Sequence, residues 1–141
     1  MDKKFIKNIQ KRVIDLLLIL SDNLQVAAKD QCSELARLVG CWMLNEHPEY
    51  KVQIYKGELS GGLAHDILVV ENDQSLFLLD PTIWQIFPES GDIYVGSFGD
   101  IPEAVNFLQK KYGGTWKMSE IMGKCDKSYQ QELLTIIRGN K

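Results

Sequence analysis

The chain has 141 residues, of which 45% are hydrophobic and 25% charged, and its formal net charge at pH 7 is −3. These values are typical of a globular protein, and we expect residues 1–141 to fold as a single domain. A negative net charge lacks the excess of Lys and Arg that is typical of nucleic-acid-binding proteins. The apolar run at 13–20 is too short for a membrane span.

Helices are predicted over the first third of the chain. Apolar residues recur at three- and four-residue steps over residues 3–28, which indicates a helix with a break near 21–23. Asp30 is the expected N-cap of a second helix over 31–46, because an aspartate accepts hydrogen bonds from first-turn N–H groups. This helix should end at His47, since the residue before a proline disfavours helical dihedrals.

The rest of the chain alternates between strand-like and helix-like patterns. Short β-type runs separated by turn residues predict strands at 51–55, 64–70, 74–80 and 93–95. Pro102 suits the first turn of a helix that runs to about Tyr112, where a pair of glycines stops it. A last helix is expected over 127–138. This order predicts an α+β fold with helices packed on a small antiparallel sheet.

The chain contains three cysteines, an odd number without the spacing of a disulfide framework. Such a pattern is typical of free thiols in a reducing compartment. We therefore expect a cytoplasmic location, with delivery into another cell as a secreted effector left open. Cys41 suits core packing and Cys125 a surface loop. No short Cys or His spacing indicates a zinc site, so neither a metal nor another cofactor is expected.

The most informative segment is the hairpin predicted over residues 64–82. Asn72 and Asp73 tolerate the positive φ angles of a two-residue turn and separate two apolar runs. With that turn, Glu71 and Gln74 form the cross-strand pair that directly flanks it. The same register pairs Ile67 with Leu78 and places His65 directly opposite Asp80 on one face of the hairpin.

The apolar face below His65 and Asp80 requires a cover, and the helix over 31–46 is the expected partner. Its first turn would then bring Cys32 to the imidazole. A helix N-terminus and a neighbouring imidazolium both favour the thiolate, and backbone N–H groups there suit an oxyanion. Each residue alone also has an ordinary explanation: a small buried thiol, a structural histidine and an aspartate before a proline.

A cysteine that opens a helix, a histidine in a following strand and an aspartate that ends the next strand as Asp-Pro-Thr resemble the core of transglutaminase-like and papain-like cysteine enzymes. The similar part covers about residues 31–84. The resemblance implies a papain/transglutaminase-like core in which Cys32 is the nucleophile, His65 the general base and acid, and Asp80 the orienting carboxylate. Asp66 departs from the small residue that often follows the histidine in these families.

The resemblance implies a thiol hydrolase or acyltransferase that attacks an amide carbonyl, and the small size fits a deamidase or peptidase better than a large cross-linking enzyme. A protein glutamine deamidase is the preferred interpretation. A cysteine peptidase and a non-catalytic protein–protein interaction module are the alternatives. The candidate substrate-binding residues are Gln31, Gly62 and Trp84, although Trp84 also suits core packing and Gly62 a flexible turn. Gln25 is a weaker candidate for an oxyanion donor. The expected partner is a protein or peptide substrate, and the oligomeric state is left open.

Overall fold

The computed structural model describes residues 3–73, 75–123 and 125–139. These residues form five α-helices and one five-stranded sheet. The helices are α1 (Lys3–Leu20), α2 (Leu24–Ala28), α3 (Cys32–Glu46), α4 (Ile101–Lys111) and α5 (Lys127–Ile137). The strands are β1 (Lys51–Glu58), β2 (Ala64–Asn72), β3 (Ser75–Asp80), β4 (Tyr94–Phe98) and β5 (Thr115–Ile121).

The sheet is antiparallel throughout, with the strand order β4-β3-β2-β1-β5. The predicted α+β class is confirmed, as are the break after α1 and the two late helices. Strand β5 was not predicted. Most of its side chains are exposed, because it is an edge strand, so it lacks the apolar alternation that marks a half-buried strand.

The two faces of the sheet are covered by different helices. Alternate residues of β2 point to opposite faces: Leu68 and Val70 join a cluster with residues of α1, α3 and α5. Ile67 instead joins a second cluster with Ala104 and Leu108 of α4. The prediction that α3 covers the face of Ile67 is therefore wrong. Both faces of β2 are apolar, so the sequence pattern did not indicate which helix packs on which face.

The β2–β3 hairpin differs from the predicted register by two residues. Glu71 pairs with Leu76 and Leu68 pairs with Leu79, and the turn falls between Asn72 and Ser75. The predicted partner of Glu71, Gln74, lies outside the described residues. A slip of two residues keeps every side chain on its original face, because the side-chain period of a strand is two.

Cys41 of α3 and Cys125, just before α5, form a disulfide with a Cα–Cα distance of 5.3 Å. The expectation of free thiols is therefore wrong for these two residues, and Cys32 is the free cysteine. The partners are 84 residues apart in sequence. They meet because α5 packs against α3, which no local spacing indicates.

Within the described part of the chain, no helix combines the length and the apolar character that crossing a bilayer requires.

Candidate active site

His65 lies at the start of β2, is fully buried, and is bound to Asp80 at the end of β3. The Nε2–H of His65 donates to Oδ2 of Asp80 at 2.8 Å. The predicted contact between these residues is confirmed, but not the directly opposite pairing. Continuing the observed register would place Ile67 opposite Asp80, so His65 reaches the carboxylate as a diagonal neighbour on the same face.

The carboxylate of Asp80 accepts three hydrogen bonds and is almost completely buried. Besides His65, the hydroxyl of Tyr112 donates to Oδ2 at 2.6 Å, and the backbone N–H of Thr82 donates to Oδ1 at 3.1 Å. Burial first, and then the neighbouring Asp80 charge, raise the pKa of Tyr112 far above its usual range. Tyr112 therefore remains a neutral donor, and Asp80 is held in one orientation.

Two aromatic side chains enclose the imidazole. Tyr112 stacks on the His65 ring at a centroid distance of 5.8 Å, and Trp116 meets it edge-on at 6.4 Å. The indole N–H of Trp116 donates to the carbonyl of Gly113 at 2.9 Å. This enclosure was not predicted, because the two aromatic residues follow the candidate hairpin by at least thirty positions and carry no recognisable motif.

A glycine makes room for the Trp116 ring. Gly57 of β1 pairs with His65 on one side and with Trp116 on the other. A Cβ atom at this position would lie 2.5 Å from the indole ring. Since real Cβ contacts are not that short, Gly57 allows the indole to lie over β1 and reach the imidazole.

Cys32 is the first residue of α3 and its side chain is half-buried. Burial alone would lower the pKa of His65, but the charge and hydrogen bond of Asp80, together with the adjacent Cys32 thiol, raise it to about 10. His65 Nδ1, the ring nitrogen that Asp80 does not occupy, has no hydrogen-bond partner among the described residues. The structure therefore places Cys32 near the hydrogen-bonded pair of His65 and Asp80.

The N-terminus of α3 differs from other helix starts in the chain. The side chains of Asn23, Asp100 and Asp126 each accept hydrogen bonds from first-turn N–H groups of α2, α4 and α5. The N-cap of α3 is Gln31, and its side chain makes no such bond. The first-turn N–H groups beside Cys32 are therefore left without a side-chain acceptor, which suits the binding of an oxyanion.

The predicted N-cap, Asp30, does not cap α3. Its backbone has φ 62°, in the left-handed region that aspartate tolerates better than most residues. The chain therefore turns sharply just before the helix. The amide of Gln31 donates to the backbone carbonyl of Ile137 at 3.4 Å, which links this turn to the end of α5.

The other predicted site residues lie at different depths. Gly62 is exposed, has φ 78°, and ends a short 3₁₀ turn before β2. Trp84 is 1% exposed and donates its indole N–H to the carbonyl of Ser90 at 2.6 Å, so it packs in the core and offers no surface to a substrate in this conformation. Gln25 is exposed. It borders a cavity of about 370 Å³ whose other lining residues are Val26, Lys29, Asp30, Leu63 and Gln85.

Chemically, the site consists of a buried carboxylate–imidazole pair next to a half-buried thiol at an uncapped helix start. Among the described residues, no group of three or more His, Cys, Asp or Glu side chains is arranged to hold a metal ion. Comparisons with models of protein families, with curated proteins and with solved structures gave no match for this chain.

Proposed function

We propose that the chain is a thiol hydrolase or acyltransferase that attacks an amide carbonyl through Cys32, His65 and Asp80. The observation that supports this proposal most is the His65 ring: one nitrogen is bonded to Asp80, the other has no hydrogen-bond partner among the described residues, and Cys32 is close enough to act on the imidazole. A structural histidine normally satisfies both nitrogens. The proposal includes a papain/transglutaminase-like core, which the order of cysteine, histidine and aspartate in residues 31–84 suggests.

In the proposed reaction, the Cys32 sulfur attacks the carbonyl carbon of an amide while the carbonyl oxygen takes up the negative charge. The first-turn N–H groups of α3 would stabilise that oxyanion. The raised pKa keeps His65 protonated near neutral pH, so its imidazolium can donate a proton to the departing amine. A thioester on Cys32 and a free amine result.

Water would then attack the thioester, giving up a proton to the neutral imidazole, and release a carboxylic acid and the free thiol. The net change is hydrolysis of the amide. An amine in place of water would complete a transfer instead.

The burial of His65 favours a side-chain amide as substrate. The imidazole is fully buried and Cys32 is half-buried, so in the proposed reaction the substrate approaches the site from the side of Cys32. A glutamine carboxamide at the end of a flexible stem enters a narrow opening more easily than a main-chain carbonyl does. This supports a protein glutamine deamidase over a cysteine peptidase of the same fold.

The thiol itself provides the test. Cys32 is the free cysteine, so alkylation by iodoacetamide reports on it alone. We expect alkylation at about pH 6 to be at least tenfold faster in the folded protein than in the urea-unfolded chain, because a neighbouring imidazolium makes a cysteine more reactive. His65→Gln should remove this difference. Equal rates in the folded and unfolded wild type would contradict the catalytic proposal.

A substrate screen addresses the reaction itself. We expect a candidate partner protein to gain about one dalton in mass per converted glutamine, since an amide nitrogen is replaced by oxygen. Cys32→Ala is the matched control and should give no change. Cleavage of the partner chain in place of that small gain would favour the peptidase alternative.

The second candidate function is a non-catalytic protein–protein interaction module, which the complete burial of His65 also favours. Such a module would bind a partner equally well with Cys32→Ala and would show no thiol activation. The disulfide between Cys41 and Cys125 supports residence in, or passage through, an oxidising compartment. That is more compatible with a secreted effector than with a protein confined to the cytoplasm.

A further inference from the structure

Arg37 of α3 forms a network of hydrogen bonds beside the site. Its Nη1 donates to Oδ2 of Asp66 at 3.1 Å, and to the backbone oxygen and Oγ of Ser33 at 3.0 and 2.8 Å. Its Nε and Nη2 donate to Oε1 of Glu120 at 3.1 and 2.9 Å. One guanidinium thereby joins α3, β2 and β5.

The partners of Arg37 adjoin the proposed triad. Ser33 directly follows Cys32, and Asp66 directly follows His65. Since successive strand residues point to opposite faces, Asp66 faces α3 while His65 faces the aromatic residues on the other side. The guanidinium therefore binds Ser33 and Asp66, the residues that directly follow the two proposed reacting residues in sequence.

The apolar contact between α3 and the sheet does not by itself fix the position of the helix along its axis relative to β2. Leu35, Leu38 and Val39 pack on a continuous apolar face, and such contacts are non-directional. The planar fork of an arginine instead imposes direction and distance on every group it binds. The Asp66 side chain is only 9% exposed, so solvent screens its ion pair with Arg37 weakly.

Burial of the charges argues that this link has a role beyond stability. Burying an ion pair costs desolvation energy, and apolar residues of similar size commonly stabilise a fold as well or better. Burial would lower the pKa of Arg37, but hydrogen bonds to Asp66 and Glu120 outweigh that effect and raise it, so the charge persists. What the pair supplies and an apolar contact lacks is a fixed position.

We propose that Arg37 and Asp66 are positioning residues that set the approach of the Cys32 thiol to the His65 imidazole. This inference rests on the proposed function, because it concerns how the thiol is activated. Neither residue contacts the reacting atoms. Their role is to fix the first turn of α3 against the first residues of β2.

The test compares variants that weaken different interactions of Arg37, those with Asp66 and those with Glu120. Asp66→Asn removes the charge that holds β2, and Arg37→Lys keeps a charge but loses the fork. Each should slow Cys32 alkylation at about pH 6 by roughly tenfold or more, because a displacement of one ångström can cost about a hundredfold. Each should also change the pH profile of alkylation, because the position of the thiol beside the imidazole changes.

Glu120→Gln is the matched control, because it removes the charge from the β5 arm of the same arginine, as Asp66→Asn does for the β2 arm, and leaves the Ser33 and Asp66 bonds in place. We expect less than a twofold change in rate and no change in the pH profile. Thermal unfolding of every variant separates positioning from stability, since a purely structural role would lower the melting temperature and leave the pH profile of the folded protein unchanged.

If Asp66→Asn fails to fold, the double variant Arg37→Met with Asp66→Leu replaces the pair by apolar groups and should restore folding. It should still show slow alkylation. Folded variants that alkylate at the wild-type rate with the wild-type pH profile would overturn the positioning role. Slow alkylation of the wild type itself would instead refute the proposed function, so the two failures are distinguishable.

Discussion

The Oδ2 atom of Asp80 accepts hydrogen bonds from both His65 and Tyr112, and Oδ1 accepts one from the backbone of Thr82. A buried carboxylate without such donors would cost several kcal/mol in lost hydration. The three donors offset that cost and fix the plane of the carboxylate. The orientation of the imidazole follows from it, so Tyr112 acts on the site through Asp80.

Removal of the Tyr112 hydroxyl tests this dependence. Tyr112→Phe keeps the stacked ring but leaves Oδ2 of Asp80 with one donor fewer, and hydrogen bonds to charged groups contribute about 1.5–3 kcal/mol. We expect the free energy of unfolding, measured by urea denaturation, to fall by that amount. Tyr94→Phe is the control, since the Tyr94 hydroxyl makes no hydrogen bond within the described residues. Equal stability of the two variants would count against the role of Tyr112.

The raised pKa of His65 predicts a pH dependence of stability. Its folded-state pKa of about 10 exceeds the value of about 6.5 expected in the unfolded chain. A proton that only the folded state retains is stabilising, so this contribution is complete below about pH 6.5 and is lost as the pH rises towards 10. The raised pKa of Tyr112 adds a further loss only above about pH 10.

Urea denaturation at several pH values measures this effect. Between about pH 6.5 and 10, we expect the free energy of unfolding to fall by up to about 1.4 kcal/mol per pH unit. His65→Gln should flatten the curve over that interval, even though its overall stability is lower. Parallel curves for wild type and variant would show that His65 does not hold a proton in the folded state.

At the scale of elements, the hairpin shows what the sequence predicts and where it fails. Turn preferences favour Asn72 and Asp73 as the two turn residues, whereas the observed pairing places Asn72 opposite Ser75. Moving the turn by one position shifts the pairing by two residues, which keeps all faces. The contact of His65 with Asp80 was therefore predictable, although their exact register was not.

The enclosure of His65 was beyond prediction for a different reason. Tyr112 ends α4 and Trp116 belongs to the edge strand β5, so both reach the imidazole through long-range packing. Single-sequence patterns report local periodicity and carry no information on which distant elements meet. The position of Cys32 at a helix start was local and was predicted, one residue from the observed boundary.

The turn between α4 and β5 sets the positions of both aromatic rings and gives an element-scale prediction. Gly113 and Gly114 have φ 82° and 73°, a region that costs other residues about 1–2 kcal/mol. A Cβ at Gly114 would also collide with the backbone carbonyl of Glu58, whereas one at Gly113 would meet nothing within 4 Å.

We therefore expect Gly114→Ala to lower the free energy of unfolding by at least about 1 kcal/mol more than Gly113→Ala does, because it adds overpacking to backbone strain. Chemical denaturation of both variants measures the difference. An equal decrease in the free energy of unfolding for the two variants would mean that the backbone around Glu58 shifts to accommodate the added Cβ without loss of stability.

At the scale of the whole molecule, the disulfide between Cys41 and Cys125 closes a loop that contains the entire sheet. Cross-linking residues so far apart removes conformations mainly from the unfolded chain. This constraint was invisible in the sequence, because an odd number of cysteines with no regular spacing gave no reason to pair these two.

Loss of the disulfide should be costly. For the double variant Cys41→Ser with Cys125→Ser, we expect the free energy of unfolding to fall by about 2–5 kcal/mol. Adding a reductant to the wild type should have a similar effect, whereas Cys32→Ser should leave stability under oxidising conditions nearly unchanged. A reductant that shifts the denaturation midpoint of the double variant as much as that of the wild type would refute the assignment.

Neighbouring residues of β2 belong to different halves of the molecule. His65 contacts Tyr112 at the end of α4, while Asp66 contacts Arg37 in α3 on the opposite face. The site is therefore complete only when both hydrophobic clusters have formed. If α3 or α4 is not packed on the sheet, the site is incomplete and the thiol is not activated. Protection of the His65 and Asp66 amides from hydrogen exchange, acquired last in refolding, would mark the moment at which the thiol becomes reactive.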